Sequence, residues 1–409
     1  MRIAIATVGT TGDVVPFTAL VEGLRIAGHE VTAVSWELHR GAFERAGARF
    51  VAAGPTTSWD DIADTAARAA AAGSPLAQVA VLRDFHLRDA AAHHAALREA
   101  LVGHDLVLLH GIHTLAEAAA RDAGLRWVTA VFDPVLLPTL SAPPAGMPRM
   151  GPFNRLAWRM LDGMLRRQDG PLRQALLEAG SPSAEAVTMF RARSQRLHLV
   201  AVSPSIAPPP PDLAPSSHFT GAWLRGGEPE PLPSTLLSFL DAGEPPVVAT
   251  FGSMAVADRA ALEMAVLEGM RQAGRRLVLQ DPGTEVEAES ADGVLRIGPA
   301  DHRALFGRAA AVIHHGGAGT AHAAAAAGIP SAVVPHVGDQ PFWAARLHAL
   351  GVAPEPLPVA KVSAAEVASR VREATSEEMR QAAAALGAML AAEKGVASAV
   401  GLLETAAEV

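Results

Sequence analysis

The chain reads as an α/β protein built from two doubly wound, parallel-sheet units that face a cleft. Three observations predict this. Short, nearly all-apolar runs alternate with helical stretches in both halves, as expected for strands buried on both faces of a parallel sheet. A proline tract, Ala207-Pro208-Pro209-Pro210-Pro211, divides the two series, and such tracts form stiff, extended linkers. A glycine-rich turn closes a strand in each half, at Gly9-Thr10-Thr11-Gly12 and at Gly316-Gly317-Ala318-Gly319. Sheets of this kind bind ligands at such strand ends.

In the first half, residues 2–8 form a β-branched run ending in glycine. A helix follows to about residue 27, with Pro16 in its first turn and Phe17, Leu20, Val21 and Leu24 on one face. Strands are expected over 29–36, 48–53, 105–109, 127–132 and 197–202. Helices are expected over 41–47, 60–72 and 76–101, with Gly73-Ser74-Pro75 as a break. Residues 141–151 are rich in Pro, Gly and Met and read as a loop. In the second half, strands are expected over 246–250, 276–280, 294–297, 311–313 and 332–334, with a helix over 257–272 between the first two. Residues 376–409 are helical by composition. The expected domains are 1–206 and 236–390, joined by a linker at 207–235 and followed by a final helix at 391–409.

A length of 409 residues allows two or three domains with their own cores, and half the residues are apolar. The net charge of −8, without a long basic run, excludes nucleic acid as a partner. No cysteine is present, which excludes disulfides and thiolate metal sites. Residues 1–6 enter a strand directly with no signal peptide ahead of it, and no apolar run looks long enough for a transmembrane segment. A soluble, cytoplasmic protein is expected. Nothing fixes the oligomeric state, and a homodimer is left open.

The densest signal is His314-His315-Gly316-Gly317-Ala318-Gly319-Thr320, with Asp339-Gln340-Pro341 beyond the next strand. A glycine turn that opens a helix exposes backbone N–H groups and aims the positive end of the helix dipole at one spot, which suits a phosphate. The imidazole of His315 can add a proton or a hydrogen bond to the same anion. Asp339 and Gln340 together suit sugar hydroxyls, because both accept and Gln also donates. Plainer readings compete with each of these. The glycines can be turn formers, the histidines structural, and Asp339 a helix cap ahead of Pro341. Asp13 can likewise cap the helix that begins near Val14 or Pro16. His110 and His113 follow a strand and could line a pocket, as could Phe132, Trp59, Phe85 and the Pro/Met-rich loop.

The heptapeptide at 314–320, Asp339-Gln340-Pro341, Phe251-Gly252-Ser253-Met254 and Gly9-Thr10-Thr11-Gly12-Asp13-Val14-Val15-Pro16 resemble the bacterial natural-product glycosyltransferases of the GT-B fold, UDP-glycosyltransferase-like enzymes that modify antibiotics, macrolides and sterols. The resemblance spans nearly the whole chain in motif order and is weaker between residues 59 and 203. It implies that His315, Ser253 and the N–H groups of Gly317, Ala318, Gly319 and Thr320 hold the donor diphosphate. It implies that Asp339 and Gln340 hold the donor sugar, and that Ala300 and His302 line the nucleoside pocket. Many relatives carry a catalytic histidine after the first strand, whereas this chain has Asp13, as a subset of the family does. Asp13 is thus the candidate base, which some desolvation would strengthen. Thr11, in the same turn, is an acceptor-side candidate.

No Asp-x-Asp or other metal cluster is apparent, which fits a reaction that needs no metal, and the resemblance implies an inverting transfer. No cofactor is expected beyond a UDP-sugar or dTDP-sugar co-substrate. The resemblance further implies a small hydrophobic acceptor of polyketide, macrolide, sterol-like or aromatic type, and a last helix that returns to the first domain, with Gly395 as a bend. Two other readings are a catalytically silent nucleotide-sugar-binding auxiliary protein and a sugar-nucleotide epimerase. The epimerase would need further acid and base groups, and no convincing set is found. A dinucleotide-dependent oxidoreductase is disfavoured, because Gly9-Thr10-Thr11-Gly12 lacks the Gly-x-Gly-x-x-Gly spacing.

Overall fold

The computed structural model describes residues 1–135, 137–144, 150–252, 259–281 and 293–408. The chain divides into two compact units, Met1–Gly226 with Lys394–Val409, and Gly227–Glu393.

The first unit is built on a seven-stranded parallel sheet in the order β3-β2-β1-β4-β5-β6-β7. The strands are β1 Arg2–Ala6, β2 Glu30–Ser35, β3 Arg49–Ala52, β4 Leu106–His110, β5 Trp127–Val131, β6 His198–Val200 and β7 Ser217–Phe219. Alternation along each strand serves two cores. Ile3 and Ile5 face Phe17, Leu20 and Leu24 of the helix Thr11–Ile26. Ala4 and Ala6 face the opposite layer, with Leu97, Leu101, Leu172 and Leu176. The order reverses between β1 and β4, which leaves a crevice at their carboxyl ends.

The second unit repeats the plan with five parallel strands in the order β10-β9-β8-β11-β12. They are β8 Val247–Thr250, β9 Leu277–Gln280, β10 Val294–Ile297, β11 Ala311–His314 and β12 Ser331–Val333. Val247, Ala249 and Ile313 face one core, while Val248, Val278 and Val312 face the other. The reversal falls between β8 and β11, so Gly252 and His315 flank a second switch point.

Several expectations are corrected. Residues 207–235 are not linker throughout, because Ser217–Phe219 adds to β6 as an edge strand. Residues 76–101 form two helices, Pro75–His86 and Ala90–Leu101, parted where Asp89 takes a left-handed φ of 51°. The first helix starts at Thr11, a turn earlier than Pro16 suggests, and Pro16 lies inside it. The stretch Glu377–Glu408 has a mean hydropathy that a membrane-crossing helix and the core helix of a globular unit share. It is two helices, Glu377–Ala392 and Gly395–Glu408. The former packs within the second unit. The latter buries Ala399, Val400 and Leu403 against the helix Thr11–Ile26 of the first. A β-carbon on Gly395 would lie 2.2 Å from the Ala222 carbonyl oxygen, so glycine is required at this turn.

Candidate active site

In the second unit, β11 ends at His314, which is fully buried, with Nδ1 accepting the Gly316 N–H at 3.0 Å. Gly316 has φ 90°, and a β-carbon there would press on Val333 and the Gln340 carbonyl at 2.9 and 3.0 Å. Only glycine turns the chain at this place. The helix Ala318–Ala326 then begins with Gly317 as its N-cap. Gly317, Ala318 and Thr320 are half-buried and Gly319 is exposed, so the amino end of this helix is open to solvent. Its first N–H groups have no partners within the helix, and the dipole adds positive potential there.

His315 is 9% exposed and lies between two glycines. A β-carbon on Gly252 would meet its Cε1 at 3.0 Å, and one on Gly317 would meet Nε2 at 2.5 Å. The backbone of Thr250 hydrogen-bonds the ring, while Nδ1 is buried with no hydrogen-bond partner. Burial, and next the neighbouring His336 imidazole, push His315 down to about 4. The ring is therefore neutral at rest, and an anion placed beside it would draw a proton onto it. His336 itself is half-buried, stands edge-on to Phe251 at 6.3 Å, and has its Nε2 buried and unbonded. Ser253 lies outside the described residues.

Asp339 is the N-cap residue of the helix Gln340–Ala349, but its side chain does not cap. Its carboxylate instead accepts the Trp343 indole N–H at 2.7 Å. Trp343 is fully buried and packs edge-on against His322 at 4.9 Å, which makes it an anchor for Asp339. Gln340 is 2% exposed, and its carboxamide oxygen accepts the N–H groups of His336 and Val337 at 2.8 and 3.1 Å. That oxygen holds the turn; of the two side chains, the one with more exposure is that of Asp339. Ala300 is half-buried just past β10. His302 stacks on Phe306 at 4.3 Å, and its Nε2 meets Gln280 Oε1 at 2.8 Å, so it packs and braces the end of β9.

In the first unit, Gly9 has φ 119°, and a β-carbon on it would sit 2.4 Å from Asp13 Oδ2. Asp13 is the third residue of its helix and not the cap. Its Oδ2 accepts the N–H and the hydroxyl of Thr10 at 2.7 and 2.9 Å. Its Oδ1 lies 3.8 Å from His110 Nε2, and its side chain is 28% exposed. Thr11 is exposed at the helix start. His110, at the end of β4, is buried against Phe17 and Phe132 at 5.6 and 5.0 Å. Phe132 is 8% exposed and belongs to the core with Trp223. His113 is buried 5.4 Å from the ring of His93, with Nε2 unbonded. Among the described residues, no group of three or more His, Asp or Glu side chains converges to hold a metal ion.

Sequence reasoning missed the contact between Asp13 and His110, the pinning of His315 by Gly252, and His336. The first two depend on strand order. His336 was there to be noticed, between Pro335 and the Asp339-Gln340 pair.

Two parallel sheets, each reversing its order at a crevice, and an open helix end walled by a buried imidazole, define a two-unit α/β enzyme of the GT-B class. The family model described as the erythromycin biosynthesis protein CIII-like C-terminal domain matches residues 285–402. O-mycaminosyltylonolide 6-deoxyallosyltransferase of Streptomyces fradiae is 35% identical, over 100% of this chain and 98% of its own length. Among solved structures, the kitacinnamycin glycosyltransferase has a TM-score of 0.73 at 20% identity, covering 99% of this chain and 98% of that one. Glycosyltransferase VinC, solved with dTDP, has a TM-score of 0.66 at 20% identity, with 100% of both chains covered. The chain belongs to the antibiotic-biosynthesis glycosyltransferases of the GT-B fold.

Proposed function

We propose that this glycosyltransferase is inverting and metal-independent. It moves a sugar from a UDP- or dTDP-sugar to a hydroxyl of a small hydrophobic natural product. The observation that carries this reading is the solvent-open helix start at Gly317–Thr320, with His315 pinned beside it. The N–H groups and the imidazole supply the positive charge that a departing nucleoside diphosphate needs, a role a cation plays elsewhere. Asp339, braced by Trp343, accepts hydrogen bonds from sugar hydroxyls. Asp13 takes the proton of the acceptor hydroxyl as its oxygen bonds to the anomeric carbon and the bond from that carbon to the diphosphate breaks. A single displacement of this kind inverts the anomeric centre. The S. fradiae relative, whose name describes sugar transfer to a macrolide, supports the substrate class, and VinC with dTDP supports the donor class.

The test mixes purified protein with UDP- and dTDP-sugars and a panel of hydroxyl-bearing aglycones, with products read by mass spectrometry. A glycosylated acceptor of inverted anomeric configuration, formed in the presence of chelator, is expected. Asp13→Asn should bind donor nearly as tightly and lose ~10²–10⁴-fold in kcat. Donor binding without transfer to any acceptor would favour a silent binding protein. Epimerised donor formed without acceptor would favour an epimerase, and no nucleotide-sugar binding would sink the reading.

A further inference from the structure

The helix Asn154–Gln168 of the first unit turns two chemically different faces to solvent. Its inner face is fixed. Asn154, Ala157 and Trp158 are buried. The Asn154 side chain accepts the Met150 N–H at 2.9 Å and donates to the Leu140 carbonyl at 2.8 Å, and the Trp158 indole donates to the Ala142 carbonyl at 2.9 Å. Breaking these bonds would strand buried polar groups, so the helix cannot roll to hide its outer side.

That outer side is apolar along one stripe and basic along another. Phe153, Leu156 and Met160 are 66%, 52% and 56% exposed, and their spacing of three and four residues sets them in one line. Leu140 and Met150, whose backbones Asn154 holds, add exposed apolar surface at the head of the helix. Single exposed apolar side chains are ordinary, whereas a cluster of this kind marks an interaction surface. Roughly a third of the circumference away, Arg155, Arg159 and Arg166 form the second stripe, and Arg167 falls within the apolar one. The chain as a whole carries a charge of −8, yet the only carboxylate of this helix is Asp162. Asp162 pairs with Arg166 at 3.0 Å; among the described residues, Arg155, Arg159 and Arg167 are in no ion pair. Arg155 and Arg159, one turn apart, repel each other.

We propose that this face is a docking surface for an anionic membrane leaflet. Phe153, Leu156 and Met160 enter the headgroup layer, and the arginines meet the lipid phosphates, with the aliphatic stem of Arg167 lying along the apolar stripe. The charge that two arginines leave uncompensated within the helix is then met by the partner. A second copy of the chain fits worse, because the same face on both partners sets the basic stripes together. A convex ridge also offers no socket for an anchoring side chain of another protein, whereas a fluid headgroup layer moulds itself to a ridge. Docked there, the enzyme meets an apolar aglycone where such molecules concentrate. That consequence rests on the acceptor reading above; the docking itself does not.

Co-sedimentation of the intact chain with lipid vesicles tests this. Phosphatidylcholine vesicles containing about a third phosphatidylglycerol should carry the protein down, and pure phosphatidylcholine should bind it about tenfold more weakly or less. Raising the salt from about 0.05 to about 0.5 M should release most of it. Leu156→Glu with Met160→Glu, and separately Arg155→Glu with Arg159→Glu, should each weaken vesicle binding ~10-fold or more. All four side chains are exposed, so the melting temperature and the affinity for free UDP or dTDP should stay unchanged in both variants. No sedimentation with either vesicle, equal binding to both, or binding that neither pair of substitutions moves overturns the proposal. Self-association in solution that Leu156→Glu with Met160→Glu abolishes also overturns it, and assigns the face to a second copy.

Discussion

The imidazole of His315 lies so close over Gly317 that a β-carbon there would stand 2.5 Å from its Nε2. Gly317 has φ −63° and ψ 144°, an ordinary extended conformation that alanine adopts freely. Only the close approach demands glycine. Gly317→Ala should therefore displace the ring with little backbone cost. We expect UDP or dTDP affinity to fall about tenfold or more, roughly 1.4 kcal/mol, with little change in melting temperature. Calorimetric titration with the free nucleotide checks this, and undiminished affinity would make the imidazole a bystander.

Donor binding should take up protons. Burial pushes His315 down to about 4, so it is neutral at pH 7. A diphosphate beside it raises its proton affinity, and the folded-bound state then holds more protons than the free one. Affinity should accordingly rise as pH falls from about 8 toward 6. Calorimetry in two buffers of different ionisation enthalpy reads the number of protons directly. Zero uptake at every pH in that window would contradict the expected linkage.

Trp343→Phe keeps an aromatic ring in the core but removes the N–H that holds the Asp339 carboxylate. If Asp339 meets the sugar, KM for the nucleotide sugar should rise ~3–10-fold, in line with the roughly 0.7–1.4 kcal/mol of an ordinary hydrogen bond weakened by a displaced carboxylate. Affinity for the free nucleotide should stay within experimental error. An equal loss for nucleotide and nucleotide sugar would place the effect on the helix rather than on the sugar contact.

Glu117 lies buried in the helix Thr114–Asp122, and burial pushes its carboxyl up to about 7 against the pull of Arg121. A group raised in the folded state stabilises below its unfolded value of 4.5, and that contribution is lost as pH rises through 7. The loss is on the order of 3 kcal/mol. Glu117→Gln should flatten the stability–pH curve over that window. Denaturant melts of both proteins between about pH 4.5 and 7.5 decide it, and parallel curves would refute the assignment.

The apolar strands were legible because a parallel sheet covered on both faces leaves little room for polar residues, as in Leu106-Val107-Leu108-Leu109 and Val247-Val248-Ala249. β7 was not, because Ser217, His218 and Phe219 are three residues at an edge behind a proline tract, too short to carry a period. The open helix end was readable because glycine spacing reports backbone geometry directly. Side-chain roles were less so. Gln340 spends its carboxamide oxygen on the turn, and His110 meets Asp13 only because β4 lies beside β1. Adjacency of that kind belongs to topology, and no local pattern encodes it. Asp13 was ambiguous between cap and base, since the spacing that lets a carboxylate reach back to a helix N-cap also leaves its second oxygen outward.

The closing helix, residues 395–408, completes a hydrophobic layer begun by Phe17, Leu20 and Leu24. The unit that starts first is thus written in two instalments, whereas the unit from Gly227 to Glu393 is uninterrupted. During synthesis the unit from Gly227 to Glu393 can finish folding while the earlier one still waits, its greasy groove uncovered, for residues 395–408 to emerge.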